Sequence, residues 1–85
     1  DMNCSMEFCQ LTLLPGSTTE NSSMRHKGEE VALVISGSFM LSLNGNFVEL
    51  NEGDSIRINP MVSHYWVNNS NEKAILVFAV TPPSF

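Results

Sequence analysis

The sequence predicts an all-β domain, either a sandwich or a barrel, and three observations carry this prediction. The chain has 85 residues, of which 42% are hydrophobic and 15% charged, so it is long enough for one small core and too apolar for a disordered segment. Short apolar stretches are separated by turn residues about every eight to twelve positions, as in sandwiches and barrels. No stretch has apolar residues at helical spacing over two turns.

Seven short strands are predicted, at residues 7–14, 30–35, 39–43, 46–50, 55–58, 64–67 and 74–80. The first strand alternates Cys9, Leu11 and Leu13 with polar residues, so one of its faces is expected to be buried. The second strand is apolar at most positions, which is typical of a strand covered on both faces. Asn44 and Gly45 favour a hairpin between the third and fourth strands, because they accept the positive φ angles of a tight turn.

Turn residues separate the remaining strands. A Glu-Gly-Asp turn at 52–54 precedes the fifth strand, and an Asn-Pro pair at 59–60 follows it. Residues 17–23 are polar and are predicted to form a loop. The seventh strand is an unbroken apolar run, but it is far shorter than the roughly 20 residues of a membrane span. The chain is therefore predicted to be a single domain without repeats.

The charge of the chain argues against a nucleic-acid-binding surface, and its cysteine content argues against a disulfide-bonded scaffold. The formal net charge is −5 with four basic residues, too few to neutralise a nucleic-acid backbone. If the segment around Cys4 and Cys9 is extended, the two cysteines are too far apart for a disulfide within one chain. Without a disulfide, Cys9 is expected to be a small core residue in a reducing cytoplasm. The sequence begins at Asp1 rather than Met and shows no basic leader with an apolar segment, so we expect a chain excised from a longer protein.

Three residues suggest a chemical site, namely His26, Glu30 and His64. Two imidazoles and one carboxylate are the ligands of an open Fe(II) site or of a catalytic zinc site. From residue types alone, histidines with ordinary hydrogen bonds remain the alternative. No serine near a histidine lies in a nucleophile elbow, which argues against a hydrolase.

Two motifs with defined spacing assign the chain to a family. The first comprises His26, Glu30 and Gly37, and the second comprises Gly53, His64 and Asn68. With these motifs, residues 26–85 resemble the cupin superfamily, whose members are small barrels built as a double-stranded β-helix. The resemblance implies one cupin domain over residues 1–85, with the first strand and loop in 1–25 and the motif-bearing barrel in 26–85.

The first motif departs from the family pattern at one position, where Met24 replaces a histidine. Methionine is a poor ligand for hard or borderline divalent ions, so the metal ligands implied by the resemblance are reduced to His26, Glu30 and His64. The metal would be Fe, Mn, Ni or Zn. With a metal bound, the resemblance implies a metal-dependent cupin enzyme of the oxygenase or isomerase type.

A narrower resemblance favours a sensor over an enzyme. The segments His-Lys-Gly-Glu-Glu at 26–30, Gly-Asp-Ser at 53–55 and Thr-Pro-Pro-Ser-Phe at 81–85 are similar to the C-terminal cupin half of helix-turn-helix regulators. This similarity implies a homodimeric domain that senses a small-molecule effector in a transcriptional regulator. Contact with DNA would be made through an N-terminal domain that this chain lacks.

The expected ligand-binding residues follow from the same motifs and strands. Polar side chains expected to face the ligand are His26, Glu30, Arg57 and His64, with Met24, Met61, Tyr65 and Trp66 in the wall of the pocket. Arg57 would bind a carboxylate through both guanidinium nitrogens, although the alternation of its strand equally permits an outward side chain. Trp66 is expected to be either buried or an anchor in an interface.

Overall fold

Two antiparallel β-sheets make up the fold. The structure, a computed structural model, describes residues 5–22 and 28–82, which form seven strands. The strands are β1 (Glu7–Leu13), β2 (Glu29–Ser36), β3 (Ser38–Leu43), β4 (Asn46–Asn51), β5 (Ser55–Ile58), β6 (His64–Val67) and β7 (Ala74–Thr81). Glu20–Ser22 form a single 3₁₀ turn. The described residues contain no helix of the length and apolarity that a membrane crossing requires. The all-β prediction is confirmed.

The two sheets face each other across the core. The four-stranded sheet has the order β1-β7-β2-β5, and the three-stranded sheet has the order β4-β3-β6. Side chains alternate between the two faces of each strand, so every second residue points into the space between the sheets. The largest buried side chains of this core include Phe39, Leu41, Leu76 and Val80.

Local turn chemistry sets the hairpin between β3 and β4. Asn44 and Gly45 have φ angles of 49° and 89°, as the tight turn requires. This turn aligns Leu43 with Asn46 and carries the register along both strands to the pair Ser38 and Asn51. The predicted hairpin is therefore present, with each strand one residue longer than predicted.

The polar segment after β1 pairs with β6, although the sequence predicts a loop there. Thr18 forms an isolated β-bridge with Val67, and the Thr19 amide donates to the Trp66 carbonyl at 2.9 Å. The Thr19 hydroxyl in turn accepts a hydrogen bond from the Trp66 amide, also at 2.9 Å. These contacts use backbone and hydroxyl groups, so the segment has no apolar alternation that could reveal them.

The outer face of β2 corrects another expectation. The strand is predicted to be covered on both sides, yet Val31, Leu33 and Ile35 are 47%, 40% and 47% exposed. Phe8, on the same outer face of the sheet, is 70% exposed. The inner face of β2 is buried as expected, at Glu30, Ala32 and Val34.

Candidate functional site

Glu30 and His64 meet inside the barrel. Glu30 projects inward from β2 and His64 from β6, so one residue comes from each sheet. His64 Nε2 lies 3.3 Å from Glu30 Oε1, and the two side chains are 4% and 3% exposed. The two motif residues, 34 positions apart in sequence, therefore form one buried ionisable pair.

The backbone carbonyl of Val62 orients the imidazole. His64 Nδ1 lies 3.1 Å from this oxygen and donates to it, which turns Nε2 towards Glu30. Burial alone would lower the pKa of His64, but the hydrogen bonds to Glu30 and to the Val62 carbonyl, with the negative charge of Glu30, outweigh burial. The pKa of His64 is therefore raised above its usual value, which favours the imidazolium form beside the carboxylate.

Glu7 and Cys9, which belong to neither motif, face the same side of the four-stranded sheet as Glu30. Strand register places Glu7 and Glu30 on either side of Val80, in one row across β1, β7 and β2. The Cys9 thiol lies 3.4 Å from Glu7 Oε2. Burial, the hydrogen bond to Glu7 and the negative charges of Glu7 and Glu30 raise the pKa of Cys9. The alternation of the first strand predicts that these two side chains share a face. The pairing of β1 with β7, which brings them near Glu30, has no local signal in the sequence.

Arg57 lies on the opposite face of the sheet from this pair. Its Nε donates to Glu29 Oε2 and its Nη1 to Asn59 Oδ1, the latter at 2.7 Å. Its side chain is 60% exposed, and its cross-strand partner is the outward-facing Val31. The structure therefore does not bring Arg57 to Glu30 and His64, and the outward alternative applies.

The predicted wall residues do not all face the interior of the barrel. Trp66 faces inward, is buried and packs edge-to-face on Phe39, with 5.6 Å between ring centroids. Tyr65 points to the other side of β6 and packs against Phe47, so it does not line the interior. Met61 is 53% exposed in the turn before β6. His26 and Met24, the remaining members of the predicted site, lie outside the described residues.

The described part of the chain supplies two of the three predicted metal ligands. In residues 5–22 and 28–82, no group of three or more His, Cys, Asp or Glu side chains is arranged to hold a metal ion. Glu30 and His64 by themselves provide one carboxylate and one imidazole, one donor short of the open sites found in metalloenzymes. The three-ligand set with His26 remains a prediction.

Comparisons with known proteins identify the family of the chain. PuuR of Escherichia coli, described as an HTH-type transcriptional regulator, is 35% identical over 74 residues, covering 87% of this chain and 40% of PuuR. PuuR of Shigella flexneri matches to the same extent, so the chain spans less than half the length of these curated relatives.

Two solved structures share the fold. One is the Cupin_2 domain of an XRE family transcriptional regulator from Enterobacter cloacae, with a TM-score of 0.82, 22% identity, and coverage of 99% of this chain and 88% of that one. The other is a predicted oxalate decarboxylase from Thermotoga maritima, with a TM-score of 0.79, 25% identity, and coverage of 89% and 65%. The family model described as "Cupin domain" matches residues 10–80. The chain belongs to the cupin domain family.

Proposed function

We propose that this chain is the small-molecule-sensing cupin domain of a DNA-binding transcriptional regulator. In this proposal the effector binds inside the barrel beside Glu30 and His64 and prefers one arrangement of a homodimer. Binding then shifts the population of the dimer, and with it the positions of attached DNA-binding domains. The similarity to PuuR supports the regulator class.

The buried Glu30–His64 pair is the observation that carries the proposal. Its neighbours across the sheet are apolar, since Glu30 pairs with the buried residues Val80 and Ile58. A buried ion pair contributes little net stability, because desolvation of both groups offsets their attraction. In an apolar surrounding, the same groups interact strongly with a polar ligand. A role in recognition therefore explains the pair better than a role in folding.

The wider context belongs to the same proposal. The DNA-binding domain would precede the cupin domain in a longer cytoplasmic protein, with residues 1–25 as first strand and loop and 26–85 as the motif-bearing barrel. The acidic balance of this chain suits such a division, because its net charge of −5 gives it no attraction for a phosphate backbone.

Titration calorimetry with amino acids, polyamines and short carboxylic acids tests the proposal. We expect at least one of these compounds to bind the unmodified chain and to lose at least tenfold in affinity in Glu30→Gln. Glu29→Gln is the matched control, since Glu29 is the next residue along β2 and faces outward beside Arg57. This variant is expected to bind as the unmodified chain does.

Two results would count against the sensor. One is that no compound of the three classes binds at millimolar concentration. The other is that Glu30→Gln and Glu29→Gln bind the compound equally well, which would place its site away from the interior pair.

A metal-dependent enzyme is the second candidate, favoured by one contact. The facing atoms of the pair, Glu30 Oε1 and His64 Nε2, are the atoms through which such side chains bind metals. By the motif, His26 would supply the third ligand, and the metal would polarise a substrate oxygen when bound.

Elemental analysis of protein purified without chelator separates the two candidates. Stoichiometric Fe, Mn, Ni or Zn that is lost in Glu30→Ala would favour the enzyme. Metal-free protein that binds an effector would favour the sensor.

A further inference from the structure

Met61 adopts a backbone conformation that favours glycine. Its φ angle is 66°, in the left-handed region that residues with a side chain rarely occupy. Asn44 also has a positive φ, at 49°, but asparagine tolerates this region. The Asn44 side chain also has a task there, because its Oδ1 accepts a hydrogen bond from the Ser63 amide at 3.2 Å. A methionine has neither property, so the angle at Met61 needs another explanation.

The turn that contains Met61 sets this angle. Residues 59–62 form the turn, in which the Val62 amide donates to the Asn59 carbonyl at 3.4 Å. Pro60 stands at the second position, where its ring fixes φ at about −65°. Met61 stands at the third position, which in a type II turn requires a positive φ and commonly holds glycine. The turn therefore imposes the left-handed conformation on any residue at position 61.

Packing does not explain a methionine at this position. The Met61 side chain is 53% exposed, so about half of its surface stays in contact with water. A side chain in the left-handed region lowers the folding equilibrium constant by roughly five- to thirtyfold relative to glycine. Strained residues of this kind are concentrated at ligand sites and other functional sites. The methionine is therefore expected to serve binding rather than folding.

The turn connects two strands whose ends lie beside the buried pair. Ile58, the last residue of β5, is the cross-strand partner of Glu30, and His64 is the first residue of β6. Because β5 and β6 belong to different sheets, the connection crosses from the Glu30 sheet to the His64 sheet. Val62, the residue after Met61, supplies the carbonyl that lies 3.1 Å from His64 Nδ1. Met61 therefore lies at the same end of the barrel as the pair.

Hydrogen bonds hold the backbone of this turn on both sides of Met61. Before it, Asn59 Oδ1 accepts from Arg57 Nη1 at 2.7 Å. After it, the Ser63 carbonyl accepts from the Asn44 amide at 2.9 Å. The position of the backbone is therefore fixed, whereas the methionine side chain keeps three rotatable bonds and a polarisable sulfur. Such a side chain adapts to irregular apolar surfaces, which suits contact with a small molecule.

We infer that Met61 is an effector-contact residue, whose side chain packs on a hydrocarbon part of the effector while a polar part faces Glu30 and His64. The effector class that fits this contact is a small molecule with a polar group at the end of a straight hydrocarbon chain. The inference rests on the proposed function, to which it adds the contact that selects for chain length. The sequence predicts Met61 in the pocket wall, and the strained turn gives that position a physical reason.

Calorimetry with straight-chain compounds of increasing length tests this contact. The amino acids are alanine, norvaline and norleucine, the carboxylic acids are acetate, butyrate and hexanoate, and the amines are ethylenediamine, butanediamine and hexanediamine. In the series that binds, Met61→Ala and Met61→Gly are expected to lose about fivefold or more in affinity for the longest compound. The loss for the shortest compound is expected to stay below about twofold, because it has few methylene groups for Met61 to cover.

Two further variants serve as controls for this loss. Met61→Leu retains an apolar side chain of similar size, so it is expected to bind the longest compound within about threefold of the unmodified chain. Leu14→Ala removes an apolar side chain that is 61% exposed at the other end of the barrel, next to the Leu13 carbonyl that binds Asn68. This variant is expected to bind every compound as the unmodified chain does.

Urea denaturation distinguishes a contact role from a structural one. Met61→Gly relieves the strain, and it is expected to raise the folding equilibrium constant about two- to tenfold even though glycine is freer in the unfolded chain. Met61→Ala keeps the strained φ, so its constant is expected to stay within about threefold of the unmodified value. A glycine variant that is more stable but binds more weakly is the result that a merely structural residue would not give.

Each remaining outcome overturns the inference. If Met61→Ala and Met61→Gly bind the longest compound as tightly as the unmodified chain, Met61 does not contact the effector. If they lose equal affinity for short and long compounds, the contact is not with a hydrocarbon chain. In both cases, binding that is lost in Glu30→Gln leaves the proposed function standing. If no compound binds the unmodified chain at millimolar concentration, the inference and the proposed function fail together.

Discussion

The two ends of β6 both bury polar side chains, but they use them differently. At one end, the His64 end, the ionisable side chains of His64 and Glu30 face each other. At the other, the Asn68 end, the fully buried Asn68 binds mainly backbone. Its Nδ2 donates to the Leu13 and Glu72 carbonyls at 2.9 and 2.8 Å.

The hydrogen bonds of Asn68 form a closed set. Its Oδ1 accepts from the amide and hydroxyl of Ser70, while its backbone amide and carbonyl bind Ser17 and Gly16. A saturated network of this kind holds two chain segments together, residues 13–17 and 68–72, and stabilises the fold. The His64 end instead holds a buried ionisable pair, and a pair of this kind contributes little net stability. Asn68 therefore stabilises the barrel, whereas the Glu30–His64 pair contributes little to stability, as its proposed role in recognition requires.

The largest effect is expected at the Asn68 end. Asn68→Ala removes four side-chain hydrogen bonds and leaves the Leu13 carbonyl without its donor, so we expect a loss of about 2–4 kcal/mol in the free energy of unfolding. Urea denaturation measures it. Asn69→Ala, at the exposed neighbouring position, is the control and should change stability by less than about 0.5 kcal/mol. Equal effects of the two variants would remove the structural role from Asn68.

A substitution at Gly37 tests the packing at the Asn68 end. Gly37 and Gly53 both have positive φ, 77° and 89°, but a Cβ at Gly37 would lie 2.8 Å from the Lys73 carbonyl oxygen, whereas Gly53 has open space. Gly53→Ala is expected to cost about 1 kcal/mol from backbone strain alone. Gly37→Ala should cost roughly 2–3 kcal/mol, because a steric clash is added. Thermal unfolding of both variants measures the difference, and equal costs would contradict the close approach.

A smaller effect is expected from pH at the His64 end. Because the pKa of His64 is raised in the folded state, the stability it contributes is fully present below its unfolded pKa of about 6.5. That contribution is lost as pH rises through the raised folded value. An NMR titration of the His64 ring measures this pKa directly, with His26→Gln to assign the two histidines. In Glu30→Gln the pKa should fall, because burial then dominates, and an unchanged pKa would refute the coupling.

The smallest effect is expected at Arg57. Arg57→Gln breaks an exposed ion pair with Glu29, so stability should change by no more than about 0.5 kcal/mol. Effector binding should be unaffected, since Arg57 lies outside the barrel. Denaturation and calorimetry on the same sample measure both quantities, and a large loss of binding would return Arg57 to the site.

Local signals in the sequence were sufficient for most of the fold. The strands Ser55–Ile58 and His64–Val67 have the predicted bounds, because turn residues flank both. The two motifs predict that Glu30 and His64 lie close together, because each motif marks a strand and the fold brings these two strands together.

Other features depend on contacts between distant segments. Strand alternation alone leaves the face of Arg57 open, and the pairing of β2 with β5 turns Ile56 and Ile58 inward and Arg57 outward. Apolar residues on both faces of β2 predict that both faces are buried. They do not identify the segment that would bury each face, and only the inner face of β2 is buried. Glu7 joins the Glu30 side of the sheet through the register of β1 with β7, a pairing across more than 60 residues that leaves no local pattern.

Replacement of the whole ionisable pair tests the central claim most directly. In the double variant Glu30→Leu/His64→Leu, we predict that the free energy of unfolding stays the same or rises by about 1–2 kcal/mol, because the desolvation of two charges is removed. Binding of the effector found by calorimetry should be lost in the same protein. A loss of more than about 3 kcal/mol in stability, or effector binding at unchanged affinity, would contradict the assignment of this pair to recognition.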